Sequence, residues 1–292
     1  MRKKAYFERA LDAWESYCRR RNCDDLPRLF VCPLCLHGFS EDQLSNLSRE
    51  HVPPASAGGS RLVLTCRPCN SAGGHSADHA IADRERARAF LAGEKPHRTS
   101  VWFDEHDLRQ VADVSVTDTG IEIAGLPDRG PPGRVEAVKD ILNKRVDQGA
   151  GLPKLKLRFP SYDRQRYQVS WLRSGYLAAY AALGYSYIYR SQLDAVRRQV
   201  ANADQKLLQN FYLELGEQAA GSRAVVIVLD PQWAMGVVVQ WDQHLVFLPL
   251  KDDAIAYYEQ LKSKEGVKVA LRGKALNWPS SPTEAQFLFD FD

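Results

Sequence analysis

Residues 50–79 read EHVPPASAGGSRLVLTCRPCNSAGGHSADH, and residues 32–35, upstream of them, read CPLC. Two Cys-x-x-Cys pairs, Cys32/Cys35 and Cys66/Cys69, lie far enough apart for each to supply half of one tetrahedral zinc site. Four thiolates leave no open coordination position, so a site of this kind is structural. A finger of about 60 residues has too little core to hold itself, and metal binding then supplies much of its folding free energy. The competing reading is a redox Cys-x-x-Cys. That motif occurs once, at the start of a helix after a buried strand.

Working outward, Leu29-Phe30-Val31 runs into the first knuckle, and Arg49 to Val52 predicts a strand that Pro53-Pro54 ends. Gly58-Gly59 lets the chain double back, and Leu62 to Thr65 predicts the second strand of a hairpin. A helix follows from about Asn70 to Phe90, interrupted early by Gly73-Gly74. Strand, strand, helix with two cysteine knuckles and Glu50-His51 between them resembles an HNH (ββα-metal) nuclease with a zinc-stapled finger. The closest pattern is the variant with Asn directly after the second cysteine pair, here Asn70. The resemblance covers roughly residues 30–92.

The resemblance implies a divalent-metal-dependent endonuclease that hydrolyses DNA phosphodiester bonds with water, leaving a 5′-phosphate and a 3′-hydroxyl. It makes His51 the general base, with Glu50 and Asn70 as ligands to a catalytic Mg²⁺ or Mn²⁺ beside the structural Zn²⁺. The chemistry suits these residue types. A neutral imidazole near pH 7 can take a proton from water, and hard cations prefer oxygen donors. Asp78 would touch the metal or orient a ligand, and His75, Arg61 and Arg67 would contact the nucleic acid. Plainer readings exist for each: Glu50-His51 as a solvated pair, Asn70 as a helix N-cap, His79 as a surface helix residue. The family pattern also has an Asn or His in the second strand to orient the base. Here that position is Ser60 or Arg61, and a backbone carbonyl would have to replace it.

The whole chain has 292 residues, 45% of them hydrophobic, enough for two ordinary domains. No run of about 18 apolar residues indicates a membrane span. Phe7, Ala10, Leu11, Trp14 and Tyr17 recur at helical spacing, which predicts an amphipathic helix over residues 3–21. Glu8, Asp12 and Glu15 fall where a secretion signal needs an uncharged apolar stretch, so the expected location is cytoplasmic. Cys18 and Cys23 lack ligand spacing and read as a helix and a loop cysteine. The net charge of +3 says little by itself. Basic clusters at Arg2-Lys3-Lys4, Arg19-Arg20-Arg21 and Arg84/Arg86/Arg88 suit a phosphate backbone, though solvated helix faces give the same runs.

The expected fold class is α+β: an N-terminal zinc-stapled ββα-metal (HNH) finger followed by a separate α+β domain. The expected layout is residues 1–29 as helix and connector, 30–92 as the nuclease finger and 99–292 as the α+β domain. In the last region the sequence predicts paired strands over 112–123, helices over 135–146, 167–183, 191–202, 204–218 and 252–264, and an aromatic extended segment over 185–189. Strands are expected over 154–159, in AVVIVLD, MGVVVQW and HLVFLPL, and over 267–271. Residues 171–198 resemble the C-terminal portion of uncharacterised bacterial HNH proteins, which implies no activity. A homodimer contact or a protein partner through 99–292 is left open, and so is RNA as the substrate. The rival class is a non-catalytic zinc module that binds nucleic acid or a protein. Zinc and basic residues serve both classes, whereas Glu50, His51 and Asn70 together are needed only by a nuclease.

Overall fold

Apolar residues at helical intervals make the first element. In the computed structural model, which describes residues 3–23, 25–73, 79–103, 108–126, 129, 133–150, 153–216, 219, 221–250 and 253–282, helix α1 (Lys3–Arg21) buries Tyr6, Phe7, Ala10, Leu11, Trp14 and Cys18. Strands β1 (Phe30–Val31) and β2 (Gly38–Phe39) pair around the first knuckle. Strands β3 (Leu47–Val52) and β4 (Ser60–Cys66) form the expected antiparallel hairpin, with a register slip that leaves Leu62 as the extra residue on β4. Gly59 closes the turn because a Cβ there would lie 1.5 Å from the Pro53 carbonyl oxygen, and Gly58 takes a left-handed φ of 74°. Helix α2 (Arg67–Gly73) begins inside the second knuckle, and α3 (His79–Leu91) follows.

The chain forms two compact units, Met1–Ile81 with Asp163–Asp292, and Ala82–Tyr162. The second unit is a four-stranded antiparallel sheet of β5 (His97–Phe103), β6 (Leu108–Thr117), β7 (Gly120–Gly125) and β8 (Leu155–Leu157), in the order β7-β6-β5-β8, with helix α4 (Arg134–Asp147). Its core is Phe90, Val101, Phe103, Ala112 and Val114. Residues 93–98, which fall between the expected domains 30–92 and 99–292, run into β5 inside this unit.

The first unit resumes with α5 (Arg164–Leu183), which Asp163 caps by accepting from the Arg166 amide. Helices α6 (Tyr185–Ile188) and α7 (Leu193–Ala201) follow. Then come β9 (Tyr212–Glu214), β10 (Arg223–Asp230), β11 (Gly236–Trp241), β12 (His244–Pro249), α8 (Ala254–Ser263) and β13 (Arg272–Leu276). These five strands make an antiparallel sheet in the order β13-β10-β11-β12-β9. Helix α5 is apolar on nearly every side and is buried on nearly every side. One core joins its Leu172, Tyr176 and Tyr180 to Trp14 of α1, to Val52, Leu62 and Val63 of the hairpin, and to Val237 and Val246 of the sheet. Each such side chain contributes about 1.5–3 kcal/mol by leaving water. A Cβ at Gly175 would stand 2.6 Å from Val246, so the helix lies directly on β12.

The fold class is α+β as expected, but three local expectations change. Residues 185–188 are helical and Tyr189 caps that helix, so the segment is not extended. Gly184, at a φ of 70°, ends α5, and the chain restarts as a short helix with Tyr185, Tyr187 and Ile188 all buried. No helix covers the described part of 204–218, where β9 stands instead. The Gln199 side chain accepts from the amides of Leu207 and Leu208 and donates to the carbonyls of Asn202 and Gln205, so it satisfies groups that a helix would have paired internally. The last strand is Arg272–Leu276 rather than 267–271, set by pairing with β10.

Candidate functional site

The four knuckle cysteines converge. Cys32 and Cys35 lie on the turn between β1 and β2, Cys66 ends β4, and Cys69 lies in α2; their sulfurs all fall within 4.8 Å of one another. A tetrahedral zinc site with bonds of about 2.3 Å has sulfur–sulfur edges of about 3.8 Å, and the Cys35 and Cys66 sulfurs stand 3.8 Å apart. These residues therefore fit a metal ion such as zinc. The Cys66 amide donates to the Cys32 sulfur at 3.4 Å, a contact that favours thiolate character. Hydrogen bonding from the Cys32 thiol holds Cys35 down at about 5 and Cys66 at about 7, whereas Cys32 itself is pushed up by its contacts with the sulfurs of Cys35, Cys66 and Cys69 and then by burial. Before metal binds, Cys32 therefore holds its proton more firmly than Cys35 or Cys66.

The first knuckle is held from behind. Tyr176 of α5 donates its hydroxyl to the Pro33 carbonyl at 2.6 Å, and Tyr185 of α6 lies within hydrogen-bond reach of both the amide and the carbonyl of Val31. Trp14 meets the Tyr185 ring edge-on at 5.3 Å, and Tyr17 stacks on Tyr189 at 5.3 Å.

Glu50 lies 3% exposed on the hairpin face that meets α5. One carboxylate oxygen is 2.7 Å from Nη1 of Arg173, and the other accepts from the Thr65 hydroxyl at 3.1 Å. Nη2 of Arg173 donates to the Cys69 carbonyl at 3.2 Å. The guanidinium is as buried as the carboxylate, 3% exposed, and Gly73 makes room for it, since a Cβ there would meet Cζ at 2.1 Å. Asn70 sits within α2, not at its N-cap, and donates its amide to the Ser48 hydroxyl at 2.7 Å. Around Glu50 the described residues do not fit a bound divalent cation. Both carboxylate oxygens are engaged, one of them by a cation that the chain itself supplies.

His51 lies on the opposite side of β3, half-buried and paired in register with Arg61. The carbonyl of Arg61 accepts from the Tyr6 hydroxyl. Arg61 and Arg67 are exposed, and Arg67 is steadied by donating to the Ser45 carbonyl at 2.7 Å. Lys3 donates to the Leu47 carbonyl, and its pKa is lowered by partial burial and then by the positive charges of Arg67 and Arg49. Arg49 shares the His51 side of the strand, so a group of cations borders that histidine. His75 and Asp78 lie outside the described residues. Sequence reasoning passed over Arg49 and Arg173. The second left a signal, being the one charged residue between Tyr167 and Leu183.

Among the described residues, no helix is long and apolar enough to cross a membrane. No curated protein and no solved structure matches the chain. Residues 32–85, from the first knuckle cysteine through the hairpin and into α3, match the family model described as HNH endonuclease, and over that stretch the chain carries an HNH endonuclease domain.

Proposed function

We propose that the chain is an endonuclease that hydrolyses DNA phosphodiester bonds with His51 as the general base. The HNH endonuclease domain at residues 32–85 carries this reading. Its hairpin bears His51 on the side of β3 that Arg49 shares, opposite Arg61 in register. Neutral His51 takes a proton from water as the water oxygen bonds to phosphorus. The bond from phosphorus to the 3′-oxygen breaks, that oxygen takes a proton from solvent, and a 5′-phosphate remains. Arg49, Arg61 and Arg67 hold phosphate oxygens, which positions the strand without reading its sequence. The choice of DNA over RNA follows the family resemblance. Of the oxygen ligands proposed for Mg²⁺ or Mn²⁺, Asn70 and Asp78 stand without Glu50, whose carboxylate is engaged by Arg173.

The rival reading is a zinc module that binds nucleic acid without cutting it, and the ion pair at Glu50 supports it. A plasmid-cleavage assay in Mg²⁺ or Mn²⁺ separates the two. Wild type should nick or linearise DNA, and His51→Ala and EDTA-treated wild type should not, with zinc content and circular dichroism unchanged in the variant. Failure of folded, zinc-loaded wild type to cut plasmid, branched DNA or RNA would overturn the proposal.

A further inference from the structure

We propose that Arg173 is the resident cation of Glu50, so that the folded, zinc-loaded chain takes up no divalent metal through that carboxylate while the guanidinium is in place. The guanidinium spans the two elements that frame the site. Nη1 lies 2.7 Å from the Glu50 carboxylate on β3, and Nη2 lies 3.2 Å from the Cys69 carbonyl on α2, one residue before Asn70. Thr65 takes the other carboxylate oxygen at 3.1 Å.

Burial makes this arrangement exclusive. Both charged groups are 3% exposed, so removing either one takes a close opposite charge away from the other in a low-dielectric interior. With both present the pair carries no net charge. A dication added to the same carboxylate would stand beside a fixed guanidinium with little water to screen the two, and Coulomb repulsion opposes it. Steric room points the same way. The guanidinium fills the space over Gly73 so closely that even a methyl group there would overlap it. Arg173 cannot swing aside freely either, since α5 packs against the hairpin on one side and the five-stranded sheet on the other. Metal binding at Glu50 and the docking of α5 are therefore alternatives.

The inference rests on the fold and not on the nuclease reading, and its test reads metal binding instead of cleavage. Full-length, zinc-loaded wild type, Arg173→Met and the double variant Arg173→Met/Glu50→Gln are titrated with Mn²⁺, bound ion being counted by the loss of free-ion electron paramagnetic resonance signal. Thermal unfolding is followed with and without Mn²⁺. Wild type and the double variant should bind the same amount of Mn²⁺ and show the same small response of their unfolding midpoints. Arg173→Met should gain one Mn²⁺ site and a midpoint that rises by several degrees with the ion, both lost in the double variant. A Mn²⁺ site in wild type that the double variant lacks would overturn the proposal. So would a folded Arg173→Met that gains no site. If Arg173→Met does not fold without the ion, the comparison of wild type with the double variant still decides, because exchanging a whole buried ion pair for neutral side chains is well tolerated.

Discussion

The β3–β4 hairpin is buried on both faces, and the two faces are held in opposite ways. The side that carries Leu47, Leu64 and Cys66 meets Tyr6, Phe7, Ala10 and Leu11 of α1 in a small apolar cluster stapled by the four cysteines. The side that carries Glu50 and Thr65 meets α5 through a buried ion pair and hydrogen bonds, with Val52 and Val63 packed into the large core around them. The first face is local in sequence and gathers four cysteines that fit a metal ion such as zinc. The second is non-local and leans on a helix from the far side of an inserted unit. A metal-stapled face is stable only as long as its ion stays. A face closed by an ion pair tolerates loss of both charges far better than loss of one.

The comparison can be broken at either face, and the largest effect is expected at the staple. Stripping zinc with a chelator, or changing Cys66→Ser, should remove on the order of 10 kcal/mol from the first face. Hydrogen exchange should then report loss of protection in α1 and β1–β4 while the sheet β9–β13 stays protected. Equal loss in both regions would mean that the faces are not separable. On the second face, Arg173→Met or Glu50→Gln alone should cost about 3–5 kcal/mol in denaturant unfolding, and the pair together far less. Additive losses would show that the contact contributes little as a pair.

Smaller effects sharpen the picture. Gly73→Ala drives a methyl group into the guanidinium and should cost about 1–3 kcal/mol, an increment that should shrink when it is measured in the Arg173→Met background. Tyr176→Phe removes the hydroxyl that reaches the Pro33 carbonyl and should cost about 1–3 kcal/mol by leaving that acceptor unmet. Its diagnostic is faster zinc release, since it loosens the first knuckle from behind. His51→Ala should change stability by no more than about 0.5 kcal/mol, because the side chain is only half-buried at the edge of the basic group. A large loss there would mark His51 as a structural residue.

What the sequence made legible was whatever is encoded within a few residues. The cysteine pairs, the Gly58-Gly59 turn and the spacing of Phe7, Ala10, Leu11 and Trp14 each carry their own geometry, and the structure builds the staple, hairpin and α1 from them. Tyr185, Tyr187 and Tyr189 misled because alternate aromatics mimic a half-buried strand. Here α1 and α5 enclose Tyr185, and Tyr187 and the adjacent Ile188 are buried with it, which removes the contrast on which the pattern depends. The segment after α7 misled because one side chain, Gln199, does the work that a helix ladder would otherwise do. At the site, Glu50-His51 could be read as a motif, but the partner of Glu50 could not. A contact between β3 and α5 leaves only an indirect trace in sequence, a lone arginine in an apolar helix.

The ion pair between Glu50 and Arg173 joins residues 123 positions apart. At a synthesis rate of about 5–20 residues per second, the ribosome needs roughly 6–25 s to make the arginine after the glutamate. Within that interval, once Cys69 has been made, all four cysteines of the staple are present on the nascent chain and can close on a metal ion. The order of synthesis therefore allows two stages: the cysteine face can close first with the acidic face still in water, and the second face can close only when α5 is delivered. A ribosome that stalls within the inserted unit would hold the domain in its half-closed state, with Glu50 solvated and accessible to cations.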